Sequence, residues 1–205
     1  MAVASARPGA DTIIATAMDG PPASVNYPAP GFTLTDQRGH EVTQAGLRGR
    51  TVLLTFLDPV CTSDCPLIGQ EFREAGALLG DRSRRVELVA IVANPFYRSL
   101  AVVQAFDRQE GLDQVPNWTY LTGSAAQLAQ AWKAYGYPVQ LLPGGGGAAE
   151  RSSSGMISHN DIAYVIDPHG RTRFEIQTDP GPGTAAAISS LSGALAQAVR
   201  QASGS

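Results

Sequence analysis

Both cysteines of this 205-residue chain fall within 58-DPVCTSDCPLIGQEF-72, with three residues between them and a proline directly after the second. A thiolate is a nucleophile toward disulfides and a soft ligand for metal ions, so two chemistries are open to the pair. Pro66 suits the first helical position, and the residue before a proline is disfavoured in the helical region. The reading is therefore a loop over Cys61 to Asp64, with Cys65 at the entrance of a helix. Unpaired amide N–H groups at such an entrance favour the thiolate of Cys65 by roughly 0.3–1 kcal/mol at an exposed site. Redox use has a parallel in the shorter C-x-x-C pattern at the same strand, loop and helix junction, here widened by one residue. Metal use needs a further donor, because two thiolates alone leave a site open. A purely structural disulfide is the weakest reading, since closing so short a loop restrains the unfolded chain little. A peroxidase reading of Cys61 lacks a suitable arrangement of Arg and Thr around the loop.

The chain has three histidines to supply that donor. His40 sits beside one hairpin turn and His169 inside another, places where a polar residue needs no special role. His159 follows a Gly- and Ser-rich stretch and leads into the strand Ile162 to Ile166, from which a flexible segment can swing a ligand over the helix entrance. Taken as a residue type alone, it is read first as an ordinary polar side chain. Met156 offers a thioether, but a methionine at a loop edge is read as packing. Asp58 and Asp64 flank the sulfurs; the preferred reading is a solvated loop, the sharper one a tuning of the thiol pKa. Trp118, Trp132 and Tyr135 read as packing residues.

The elements around these residues follow from periodicity. Residues 32–43 alternate around Asp36 to Gly39 and predict a hairpin. Thr51 to Leu57 and 86-VELVAIV-92 are apolar, β-branched runs of the kind buried on both faces of a sheet. Between them Ile68, Phe72, Ala75 and Leu79 share one face of a helix over Pro66 to Leu79. Ser99 caps a helix that turns Leu100, Val103 and Phe106 to the core, and 118-WTYLT-122 is a short strand. Ser124 caps a helix with Leu128, Ala131, Trp132 and Tyr135 on one face and Gly136 as its stop. Residues 143–155 have little to bury and read as a mobile loop. Residues 157–178 form a hairpin around Asp167-Pro168-His169-Gly170, and 184–202 a closing helix with Ile188, Leu191, Leu195 and Val199 on one stripe. Alternating strands and helices that finish with a hairpin and a helix predict an α/β, thioredoxin-like, three-layer domain. Its central sheet is mixed, and the first hairpin is an N-terminal extension.

Hydrophobic residues make up 43% of the chain and charged residues 16%, with a net charge of −3. This composition is that of a globular domain without the basic excess of a nucleic-acid binder. No run of about 18 apolar residues occurs, so no spanning helix is expected. Residues 1–30, rich in Ala, Pro and Gly, read as a flexible leader or as the spacer beside a membrane anchor. Residues 31–202 read as one domain and 203–205 as a tail.

The run 61-CTSDCP-66 after a buried strand, 159-HNDIAYVIDPHG-170 near the end and the lead-in 30-PGFTLTDQRGHEVTQAGLRGRTVLLTF-56 resemble the Sco/SenC family of copper-binding assembly factors. The likeness spans roughly Pro30 to Leu195. It implies a thioredoxin-like domain outside the cytoplasmic membrane, usually tethered to it, binding one copper ion, Cu(I) or Cu(II). By that resemblance the ligands are Cys61, Cys65 and His159. The implied role is delivery of copper to the dinuclear site in subunit II of cytochrome c oxidase; the alternative is a thiol:disulfide oxidoreductase acting on partner cysteines through Cys61 and Cys65. Two positions depart from the family pattern: Asn94-Pro95 stands after the second buried strand, where many members carry an acidic residue before proline, and Asp58 stands where the family often has an uncharged or aromatic residue.

Overall fold

The computed structural model describes residues 23–141, 157–159, 161–178 and 185–204. The chain folds in the order β1 (Ala23–Pro28), β2 (Thr33–Thr35), β3 (Glu41–Thr43), β4 (Thr51–Leu57), α1 (Asp64–Leu79), β5 (Val86–Val92), α2 (Leu100–Glu110), β6 (Trp118–Leu121), α3 (Ala125–Ala134), β7 (Val139–Leu141), β8 (Ile157–His159), β9 (Ile162–Ile166), β10 (Arg171–Gln177) and α4 (Ala185–Ala202). Six strands make one mixed sheet in the order β1-β10-β9-β4-β5-β6. Every residue of β4 and β5 is buried, as the apolar runs predict, and the two lie parallel with Leu57 opposite Val92.

The register tells which helix covers which face. Leu53, Leu88 and Trp118 are neighbours across β4, β5 and β6 and point to one side. There Trp118 meets Phe72 of α1 edge to face, and two residues along Tyr120 meets Phe106 of α2. Both parallel crossovers thus place their helices on the same face, as right-handed connections running in one direction must. α4 packs along α1 on that side. On the other face Phe56 stacks on Tyr137 at 4.1 Å and meets Tyr135, which ends α3, edge to face. This is the three-layer arrangement expected from the sequence.

Capping residues act where the sequence places them. Ser99 Oγ accepts from the Val102 N–H, and Ser124 forms a reciprocal capping box with Gln127. Gly136, at φ +64°, and Gly170, at φ +79°, occupy left-handed positions that favour glycine, one after α3 and one in the β9–β10 turn. The hairpin β2–β3 stands apart from the sheet and is tied to β6 by the amide of Gln37, which donates to Trp118 O and accepts from Tyr120 N.

Four readings need correction or addition. α1 begins at Asp64 rather than Pro66, so Cys65 lies inside the first turn; the N–H that proline lacks has no helical partner there anyway. Residues 23–28, read as part of a leader, form β1 and pair antiparallel with β10. β7 was not foreseen; it pairs with β8. Leu100, assigned to the core, is 36% exposed at the first position of α2. Residues 1–22, the stretch 143–155 and Met156 lie outside the described residues.

Candidate metal and thiol centre

β4 and β5 end side by side, and the chain leaving each forms one wall of the site. Ala93 N–H extends the pairing by donating to Leu57 O at 2.8 Å, and Tyr120 Oη donates to the same carbonyl. Trp132 Nε1 donates to Val92 O at 2.9 Å. These buried donors fix both strand ends. The crevice beyond the carboxyl ends of parallel strands is where open α/β sheets place their ligands.

From β4 the chain passes through Asp58-Pro59-Val60 to Cys61. The Cys61 N–H donates to Asp58 O at 3.1 Å, which turns the chain back toward α1. Cys65, in the first turn of α1, is fully buried, and its Sγ accepts from the Asp58 N–H at 3.3 Å. Cys61 is half-buried, with Ser63 Oγ 3.4 Å from its Sγ. Both cysteines are free thiols. The two sulfurs are hydrogen-bonded to each other. Cys65 is the donor in that bond, which brings the Cys61 pKa down to about 4, with Ser63 assisting against partial burial. Cys65 moves the opposite way: the bond to Cys61 raises its pKa first, then burial and the neighbouring thiolate charge, with Asp161 adding to the rise. At neutral pH the pair holds one thiolate and one thiol sharing a proton. The helix start, credited from the sequence with favouring the thiolate of Cys65, is outweighed by these two larger effects.

Asp58 is not a solvated loop residue. It is 6% exposed, its Oδ1 accepts from the Val60 N–H and its Oδ2 from Asn94 Nδ2 at 2.9 Å. The two departures from the family pattern therefore meet in one hydrogen bond. Asp64 is exposed, as read from the sequence. Asn94 is the residue that sequence reasoning left without a part. Its signal was present in the repeated Asx-Pro-apolar triplet after each buried strand.

His159 ends β8, its backbone paired with Val139. Three residues on, β9 runs antiparallel to β4, and Thr55 Oγ1 donates to Ile162 O. The chain before Ile162 thus lies toward the end of the sheet where β4 releases the cysteine loop. The side chain of His159 is outside the description, and no group of three His, Cys, Asp or Glu side chains comes together among the described residues. His40 and His169 are exposed in their turns, as expected.

Four large apolar side chains are exposed among the described residues, and three of them, Val60, Phe96 and Leu100, belong to segments at this end of the sheet. Val60 directly precedes Cys61, and Phe96 follows the segment that holds Asp58. Donor softness and placement fit a soft metal ion: two sulfurs, one buried and one within reach of solvent, with apolar side chains beside them.

Comparison with known proteins adds the lineage. The family model described as SCO1/SenC matches residues 22–192. No curated protein sequence matches the chain. Among solved structures, Bradyrhizobium japonicum ScoI with copper bound is 21% identical, with 86% of this chain and 99% of that one covered at a TM-score of 0.67. An SCO1/SenC family lipoprotein from Bacillus anthracis str. Ames is 20% identical, covering 76% and 87% at 0.63. BsSco, described as having a disulfide switch and as a member of the Sco family of cytochrome c oxidase assembly proteins, is 20% identical, covering 84% and 95% at 0.60. These likenesses carry the fold, which is thioredoxin-like.

Proposed function

The chain belongs to the SCO1/SenC family, and from that membership we propose that it carries one copper ion as cargo, bound by Cys61, Cys65 and His159, and delivers it to the dinuclear copper site of cytochrome c oxidase subunit II. The observation that carries this reading is the pair of hydrogen-bonded sulfurs beyond the end of β4, one buried and one half-exposed, with no disulfide between them. Two thiolates and an imidazole suit Cu(I), and the same set also holds Cu(II). The Cys61 thiolate is the first donor an incoming ion meets. Cys65 then gives up its proton to the solvent as the metal takes its place between the sulfurs. Release runs in reverse: an acceptor ligand approaches copper from the exposed side of Cys61, with Val60 and Phe96 as the apolar surface it meets.

A second reading has its own support. One thiolate and one buried thiol four positions apart are the nucleophile and resolving partner of a thiol:disulfide oxidoreductase. In that role the chain keeps the acceptor's cysteines reduced for copper insertion. Residues 31–202, with β1 added along the sheet edge, form the working unit. We place it outside the cytoplasmic membrane and tethered to it, a reading supported by the lipoprotein relative. No described helix is long and apolar enough to cross a membrane.

The two roles separate in one experiment. Anaerobically, Cu(I)-loaded protein is mixed with the reduced copper-site domain of subunit II, and metal-free reduced protein with the disulfide form of the same domain. The copper carrier gives a domain that gains copper from the loaded chain. The oxidoreductase gives a domain whose disulfide is reduced by the metal-free chain while copper stays where it was.

A further inference from the structure

We infer that Asp58 and Asn94 form a bracket that positions the two sulfurs, with Asn94 acting on the thiol pair from the segment that follows the neighbouring strand β5. The same triplet, an Asx residue, proline and an apolar residue, follows each of two paired parallel strands: Asp58-Pro59-Val60 after β4 and Asn94-Pro95-Phe96 after β5. Each Asx oxygen accepts the N–H two residues on, Val60 N to Asp58 Oδ1 at 3.1 Å and Phe96 N to Asn94 Oδ1 at 2.9 Å. This is the side-chain turn that Asp and Asn favour. The remaining side-chain atoms join the two turns, Asn94 Nδ2 donating to Asp58 Oδ2 at 2.9 Å, with Asn94 fully buried.

Asp58 is also the residue whose backbone touches both cysteines, through its N–H to Cys65 Sγ and its carbonyl to Cys61 N–H. A peptide held at its side chain cannot swing. The Asn94 bond therefore fixes the direction of the N–H aimed at Cys65 and the height of the turn that carries Cys61. Without it the two sulfurs lose a shared reference, and the hydrogen-bonded dithiol loses stability relative to the disulfide.

The inference rests on Cys61 and Cys65 being the working pair, and it is tested without metal, so a failure of copper binding and a failure of the bracket stay distinct. The protein is equilibrated anaerobically with reduced and oxidised dithiothreitol. The Cys61–Cys65 disulfide takes two electrons and one proton from reduced dithiothreitol, whose second proton passes to the solvent, giving the Cys61 thiolate, the Cys65 thiol and the cyclic disulfide of the reagent. Asn94→Ser keeps a hydroxyl to accept from Phe96 and removes the arm to Asp58. It is expected to shift the equilibrium about tenfold toward the disulfide, about 30 mV more reducing. Asn94→Asp, which sets two carboxylates face to face, shifts it at least as far. The exchanged pair Asp58→Asn with Asn94→Asp restores every bond with donor and acceptor reversed, and returns the equilibrium to within about twofold of the wild type. Gln127→Ala, which loosens the fold away from the sulfurs, leaves it unmoved. Asn94 variants that stay within twofold of the wild type, or an exchanged pair that behaves like Asn94→Asp alone, would overturn the inference.

Discussion

Cys61 and Cys65 share a proton but not a surface. Cys61 is within reach of solvent and carries the depressed pKa of about 4, while Cys65 is fully buried with its pKa raised. Alkylation of the metal-free reduced protein should therefore modify Cys61 alone, at a rate nearly constant from pH 9 down to about 5 and falling below that as the thiolate protonates. Mass spectrometry after timed quenching reads this directly. A rate that climbs tenfold per pH unit through pH 7 to 8 is the behaviour of an ordinary thiol and contradicts the shared proton. A second residue sets a pH dependence far from the sulfurs. Asp107 of α2 is 2% exposed, its Oδ1 accepts from Trp118 Nε1 at 2.8 Å, and its Oδ2 has no hydrogen-bond partner among the described residues. Burial, partly offset by the Trp118 bond, moves its pKa from the ordinary 3.8 up to about 6. A raised carboxyl pKa means that the fold favours the protonated form. This contribution to stability is complete below about pH 4 and is lost as pH rises through 6. The swing is about two pH units at about 1.4 kcal/mol each, so roughly 3 kcal/mol at most. Asp107→Asn, whose carbonyl can still accept from Trp118, should remove it and unfold at higher urea than the wild type at pH 7.5. Parallel urea midpoints against pH for the two proteins would contradict the assignment.

Elements were legible in the sequence wherever a run was long, apolar and buried on both faces. β4 and β5 appear with the predicted bounds, because nothing but a central strand accommodates such runs. The Ser99 and Ser124 caps were equally plain, since each serine supplies an acceptor just where a periodic stripe begins. Short edge pieces were not legible. β1, 23-ASVNYP-28, has neither strict alternation nor a β-branched run, and it is a strand only because β10 offers an open edge to pair with. β7 has three residues and exists through its pairing with β8. The start of α1 shifted because proline is tolerated anywhere in the first turn. At the site, both sulfurs were evident from their spacing. The Asp58–Asn94 bond was not, because it joins residues 36 apart through strand register alone. One tie between elements invites a direct test. Gln127 closes the capping box of α3 and also donates from Nε2 to Thr33 O at 3.0 Å, fastening the β2–β3 hairpin. Gln127→Ala should cost about 1–2 kcal/mol, lowering Tm by roughly 2–8 °C. An unchanged Tm would show that neither Gln127 bond contributes to stability.

At the scale of the whole molecule, topology joins what sequence separates. The cysteines leave the end of β4, and His159 lies nearly a hundred positions later, just ahead of β9, the antiparallel neighbour of β4. Copper held by all three would clip the loop before α1 to the segment between β8 and β9. Binding of this kind acts on the folded state only. Free Cu(I) buffered at about a thousand times Kd should add about 4 kcal/mol and raise Tm by about 8–16 °C, with a smaller rise in His159→Ala. Calorimetry of the metal-free and loaded forms checks this; equal rises in both proteins would mean that copper never reaches β8. Copper transfer of this kind depends on the three-residue copper site. Its most direct test is an anaerobic competition titration of the fully reduced protein against a coloured Cu(I) chelator, with wild type, Cys61→Ser and His159→Ala side by side. The expected result is one copper per wild-type chain and an affinity at least about tenfold weaker in each variant, some 1.4 kcal/mol or more. His159→Ala binding as tightly as the wild type, or a wild type that takes up no copper, would contradict it and leave the thiol pair as the working chemistry.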